Sequence, residues 1–165
     1  MQWLVIAVAV LVGLAVLVLI IGWLRPKTHV ASHSALLPAP PARVWSEIAD
    51  VDRSPEWVPG ITRVERLRDS EGRPSYRESF GGFQAVTVVT VLEPPRRMVK
   101  EILPGGPFHG SWTWELVPEG DGTRLTITER GTVENPFFRG MMLFQDPTKS
   151  ARQYAGALAR RLAGR

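Results

Sequence analysis

The sequence predicts an α+β fold carried behind one transmembrane helix, and three observations predict it. The first is an uncharged apolar run at the N-terminus, Trp3 to Leu24. The second is a block of strand-like segments between residues 61 and 133, separated by turns rich in Gly and Pro. The third is an apolar stripe at helical spacing near the C-terminus. Helices segregated from a block of antiparallel strands give the α+β class.

The apolar run reads WLVIAVAVLVGLAVLVLIIGWL. As a helix it is ~33 Å long, enough to cross a hydrocarbon core of about 30 Å. Its β-branched residues do not oppose a helix, because a lone span in lipid satisfies its backbone only by helical hydrogen bonds. Trp3 and Trp23 stand near the two ends, where indole rings favour the headgroup region. A cleaved signal peptide needs a basic leader, a shorter apolar stretch and a small-residue cleavage site. Only Met1 and Gln2 precede this run, and Arg25, Pro26 and Lys27 follow it. Residues 1–27 are therefore expected to be an anchor with a basic juxtamembrane segment, and residues 28–165 one ordinary domain. Arg25 and Lys27 flank the C-terminal side, so the positive-inside rule leaves that domain in the cytoplasm. The chain has no Cys, which excludes a disulfide framework and fits a reducing compartment.

Within the domain, His29 to Leu37 is extended and ends at a Pro-rich turn. Pro40 and Pro41 suit a helix start, and Ala42 to Ala49 places Val44, Trp45 and Ile48 on one helical face. Asp50 to Trp57 reads as a turn and a second short helix, ended by Pro59-Gly60. Strands follow at 61–68, 75–80, 83–93 and 96–103, with Pro94-Pro95 breaking the last two apart. His109 to Val117 alternates apolar and polar residues, as a half-buried strand does. Glu119-Gly120-Asp121-Gly122 is a hairpin turn that returns the chain along 123–133. Asn135-Pro136 and Asp146-Pro147 are helix-start signals. Ala151, Tyr154, Ala155, Leu158 and Leu162 form the stripe of a last helix, with Lys149, Arg152, Arg160 and Arg161 largely off it. Laid across a curved sheet, that helix is expected to leave a cavity.

Three stretches resemble the SRPBCC superfamily, which holds the START lipid-transfer domains and the polyketide cyclase/dehydrase and lipid transport group. LLPAPPARVWSEIADVDRSPEWVPGI (Leu36 to Ile61) resembles its first strand end and paired short helices. WTWELVPEGDGTRLTITERG (Trp112 to Gly131) resembles its paired strands, and Arg152 to Leu162 its terminal helix. The resemblance covers the chain after residue 28, and the apolar N-terminal helix departs from most of the superfamily. It implies the helix-grip fold, a curved antiparallel sheet wrapped around a long C-terminal helix with two short helices after the first strand. It also implies one internal pocket for a hydrophobic small molecule such as a lipid, quinone or polyketide-like compound. Fold does not dictate reaction. A tethered carrier is the leading expectation, a cyclase or dehydratase the second, and a partner-binding domain without ligand the third.

Strand parity nominates side chains for the pocket. Trp112, Trp114 and Leu116 share a face, as do Leu125, Ile127 and Glu129, and as do Tyr76, Glu78 and Phe80. The residues expected to line it are Trp57, Tyr76, Phe80, Phe83, Trp112, Trp114, Ile127, Phe137, Met141, Tyr154 and Leu158. Glu78, Glu129, His109 and Tyr76 are the candidates for chemistry, because a carboxylate on an apolar face has a raised pKa and can act as general acid or base. The alternative turns both carboxylates to solvent, or pairs surface carboxylates with Arg77 or Arg130. Phe108, Phe137, Phe138, Met141, Met142 and Phe144 crowd one region, as core, as a gate, or as residues dipping into a bilayer.

His29, His33 and His109 have no metal-ligand spacing, and no nucleotide-binding motif is present, so neither metal nor cofactor is expected. The net charge of +4 suits anionic lipid headgroups or a generally basic surface. No helix-turn-helix, zinc or RNP pattern supports nucleic-acid binding. The oligomeric state is not legible.

Overall fold

The structure, a computed structural model, describes residues 1–164 apart from the Phe144 side chain. Helix α1 (Gln2–Leu24) leads into β1 (Thr28–Leu37), α2 (Pro41–Ile48) and a 3-10 segment (Val51–Glu56). Six strands follow: β2 (Ile61–Arg66), β3 (Ser75–Phe80), β4 (Phe83–Glu93), β5 (Arg97–Ile102), β6 (His109–Glu119) and β7 (Gly122–Thr132). Helix α3 (Pro136–Met141), a 3-10 turn (Met142–Phe144) and α4 (Lys149–Leu162) close the chain.

All seven strands form one antiparallel sheet in the order β1-β7-β6-β5-β4-β3-β2. This is the α+β helix-grip arrangement. The register shifts between Val89 and Val91 on β4, an irregularity of the kind that bends a sheet. The inner face follows the expected parity. Trp114, Leu116, Leu125, Ile127 and Tyr76 are buried, and α4 brings Ala151, Tyr154, Ala155 and Leu158 against them. Val44 and Ile48 of α2 join the same core. Thr123 Oγ1 donates to the buried Ala39 carbonyl at 2.7 Å and ties the Pro-rich turn to β7.

Two helix starts resolve differently. Asn135 accepts from the Phe137 N–H at 2.8 Å, the cap its sequence predicts. Asp146 accepts from the Thr148 N–H at 2.8 Å, and α4 begins only at Lys149. Pro147 therefore sits in the turn before the helix rather than in its first turn.

Helix α1 is long and apolar enough to cross a bilayer. Most of it stands clear of the domain, but its last turns pack on α3. A Cβ added to Gly22 would come within 1.7 Å of the Pro136 carbonyl oxygen, and one added to Gly140 within 2.1 Å of the Val18 carbonyl oxygen. Only glycine allows this backbone-to-backbone approach. The Gly22 carbonyl would ordinarily accept from the residue four positions on. That residue is Pro26, which has no N–H. Arg139 Nε fills the gap, donating to Gly22 O at 2.8 Å. Its Nη1 donates to the Val133 and Glu134 carbonyls at 2.8 and 2.7 Å. Arg139 is thus a buried cation satisfied by three main-chain oxygens from two segments.

Arg139→Ala strands these acceptors, and each unsatisfied buried group costs about 1–3 kcal/mol. Hydrogen exchange across residues 133–141 of the full-length protein in detergent is expected to accelerate, with exchange in β6 and β7 unchanged. Equal protection in both proteins would show that Arg139 does not hold the junction.

Candidate functional site

The sheet and α4 enclose a cavity of about 200 Å³. Its wall comes from β3 (Glu78, Phe80), β5 (Lys100, Ile102), β6 (Trp112, Trp114), β7 (Glu129) and α4 (Ser150, Gln153, Tyr154), with Val58, Pro59, Ile61 and Phe108 at its margin. A second chamber of about 480 Å³ adjoins it toward α1 and α3. Phe108, Glu129 and Ser150 belong to both walls.

The inner chamber is aromatic but carries one buried ion pair. Glu78 is 0% exposed. Lys100 Nζ reaches its two carboxylate oxygens at 2.7 and 3.0 Å, and Thr87 Oγ1 donates to Oε1 at 2.6 Å. Lys100 also lies 5.8 Å from the Trp114 ring centroid. Trp112, Trp114 and Tyr154 pack as a cluster, with Trp57 edge-on to Tyr154 at 5.0 Å. Burial and the nearby Glu78 charge hold the Tyr154 phenol above its ordinary range, so it remains protonated.

Glu129 differs in kind. Its Oε1 lies 3.7 Å from His29 Nε2, and its Oε2 is buried without a hydrogen-bond partner among the described residues. Trp114 Nε1 is likewise unpartnered. Such orphaned groups are uncommon in folded proteins and mark sites that a ligand or solvent completes. Burial pushes the Glu129 carboxyl above the usual carboxylate range, against a smaller opposing pull from His29. The wall thus combines a carboxylate locked to a lysine with a second carboxyl whose burial disfavours ionisation.

Of the residues the sequence nominates, Phe80, Trp112, Trp114, Tyr154, Glu78 and Glu129 stand on the inner wall. Neither carboxylate turns to bulk solvent, while Arg77 does pair with the exposed Glu65 at 3.1 Å. The other nominees lie elsewhere. Tyr76 is buried with its hydroxyl accepting from Arg66 at 2.7 Å, Arg66 standing directly opposite it on β2. Ile127 and Leu158 are sealed in the core, and Trp57 sits behind Tyr154. Phe83 stacks on Phe80 and meets Phe108 edge-on, one layer from the cavity. His109 opens β6 opposite Thr132, outside both walls. Phe137 and Met141 project from α3 and are 40% and 41% exposed.

Lys100, Thr87 and His29 are the residues that sequence reasoning missed. The alternation Met98-Lys100-Ile102 on β5 carried the signal for Lys100, since its two neighbours on that face are apolar.

A family model for polyketide cyclase/dehydrase and lipid transport matches residues 28–163. The chain belongs to that family. Solved structures share the fold at low identity. The Zhui aromatase/cyclase from Streptomyces sp. R1128 is 19% identical with a TM-score of 0.70, over 82% of this chain and 94% of that one. A START superfamily protein from Mycobacterium smegmatis is 22% identical with a TM-score of 0.65, over 82% and 98%. Truncated norcoclaurine synthase from Thalictrum flavum is 16% identical with a TM-score of 0.65, over 84% and 95%. The chain spans about half the length of the di-domain aromatase/cyclase BexL, 53% of it, at 14% identity and a TM-score of 0.69. Among curated protein sequences no relative matches.

Two measurements test the site's electrostatics. Lys100→Met leaves Glu78 buried without its cation, a loss of about 3–5 kcal/mol for such pairs, whereas replacing both partners is close to neutral. The thermal midpoint of Lys100→Met is expected to fall well below that of the double variant Glu78→Gln/Lys100→Met. Equal midpoints would remove the pair from the core's energetics.

For Glu129 the folded state holds a proton that the unfolded chain releases near its ordinary pKa of about 4.3. Its contribution to stability is therefore complete in acid and lost as pH rises through the raised folded value. Glu129→Gln and wild type should melt together at about pH 4, with the variant increasingly the more stable toward neutrality. A difference that does not change with pH would contradict the raised pKa.

Proposed function

We propose that this chain is a membrane-tethered binding or carrier domain for a hydrophobic small molecule of lipid, quinone or polyketide-like type, with the domain on the cytoplasmic side. The observation that carries the reading is the pair of adjoining chambers that share Glu129, whose buried Oε2 has no protein partner. Small-molecule pockets run to about 300–1,000 Å³, so the inner chamber alone is small and a ligand that also occupies the outer one fits better. Aromatic walls supply affinity at about 25 cal/mol per Å² of apolar surface buried. Glu129, whose burial favours the protonated form, and the Trp114 N–H offer hydrogen bonds to a carbonyl or ether oxygen on the ligand. The family's double description, cyclase/dehydrase and lipid transport, supports a cavity of this use. The anchor keeps that cavity beside a bilayer, where such ligands concentrate.

A second reading, proton-transfer catalysis of a cyclisation or dehydration, is favoured by the same Glu129. A carboxyl whose pKa is raised by burial in an apolar cavity is suited to act as a general acid. The chamber walls give binding more support, because binding needs only their shape and polarity.

Full-length protein extracted from its native membranes in mild detergent is expected to carry an apolar small molecule by native mass spectrometry. Ser150→Phe, which fills the wall common to both chambers, should lose that mass without losing its circular dichroism. Wild type that carries no such molecule and displaces no fluorescent fatty acid would sink the proposal. Product masses formed from an added ligand would favour the enzymatic reading.

A further inference from the structure

The segment after β7 has an unusual position. Helix α3 touches α1 at Val18 and Gly22. Val18 lies six residues before the end of α1, about 9 Å down its axis. A helix of this length, about 35 Å, exceeds a 30 Å hydrocarbon core by only a few ångström at each end. If α1 crosses a bilayer, the level of Val18 and Gly140 falls inside the hydrocarbon boundary, and α3 falls there with it.

The surface of that segment matches the depth. Phe137, Phe138, Met141 and Leu143 are 40–50% exposed and have no covering element among the described residues. The cation in the segment, Arg139, turns inward and spends its donors on main-chain oxygens, so it presents no charge to lipid. Charge reappears just above, where Lys27 pairs with Glu134 at 2.8 Å and Arg25 follows the apolar run. An apolar surface below a charged rim is the pattern of an element lying in a membrane interface.

We propose that α3 and the turn after it form a second membrane contact, a foot inserted into the same leaflet that α1 leaves, and that the outer chamber opens at that lipid surface. Met142 and Leu143 of the foot and Arg25 at the end of α1 all line that chamber. A lipophilic molecule then passes from the leaflet past Glu129 into the inner chamber without crossing bulk water. The route rests on the binding function proposed above; the depth of the foot does not, and depends only on α1 crossing the bilayer.

The absence of native Cys allows single-site labelling of the full chain. Phe138→Cys carrying an NBD fluorophore, in phosphatidylcholine vesicles containing 5-doxyl lipid, is expected to lose about half its emission, as a group 5–10 Å below the surface would. Leu11→Cys, in the middle of α1, should be quenched by 12-doxyl lipid. Val117→Cys, about 26 Å along β6 from the strand's start beside the foot, should be quenched by neither. Leu143→Cys repeats the measurement at an independent position, should the first variant fold poorly. Quenching at Leu11 with none at residues 138 and 143 would overturn the foot and leave ligand binding intact. A blue-shifted but unquenched label would assign the apolar surface to a second copy of the chain and also overturn the proposal. No quenching at Leu11 would remove the anchor and the foot together. Depth as expected, with no ligand found in the cavity, would keep the foot and end the route.

Discussion

The inner face of the sheet is wider than α4, the long helix that lies across it. Helix α4 has 14 residues, about 21 Å of axis, against seven strands. It docks over the half of the sheet formed by β1 and β7, where Ala151, Ala155 and Leu158 let it lie close to Leu125 and Ile127. Toward β3 and β5 it presents Tyr154 and Gln153 instead, and the inner faces of those strands are left without a helix against them. The cavity follows from this mismatch between sheet width and helix coverage. The side chains set there have to tolerate it, and this is where Glu78 and Lys100 are found.

The two carboxylates of the wall, four strands apart on one sheet, have different surroundings. Glu78 on β3 meets Thr87 on the adjacent β4 and Lys100 on β5, one strand further, so both of its oxygens have partners. Glu129 meets only His29, and at a distance longer than a hydrogen bond. Burial then dominates and pushes its pKa above the usual carboxylate range. One site is closed chemically and the other open, and the open one stands where the two chambers meet.

The same economy of polar partners governs the junction with α1. Pro26 deprives the Gly22 carbonyl of its helical donor, and Arg139 replaces it from another segment. A proline that ends one helix therefore creates the acceptor that binds a second helix to it. Glycines 22 and 140 allow the two backbones to touch, and the rest of α3 turns its apolar side chains outward. The end of α1 is thereby bound to the segment that leads from β7 into α3.

Much of this was legible in the residues alone. The length and uncharged character of 3–24 marked a helix long and apolar enough to cross a bilayer, because such a run satisfies its backbone by local hydrogen bonds alone. Alternation on the strands grouped Glu78 with Tyr76 and Phe80, Glu129 with Leu125 and Ile127, and Trp112 with Trp114, because strand parity has a period of two; whether the two carboxylates met a cavity or solvent was left to the tertiary structure. The hairpin at Gly120-Asp121 and the cap at Asn135 were local and equally readable. Periodicity could not say which inner-face residues meet a void and which meet α4. It assigned Ile127, Leu158 and Phe83 to the pocket, whereas helix docking sealed the first two and sheet twist set the third aside. Nor could it pair Glu78 with Lys100 across 22 residues, or Gly22 with Arg139 across 117, since those contacts arise only when strands and helices far apart in the chain are brought side by side.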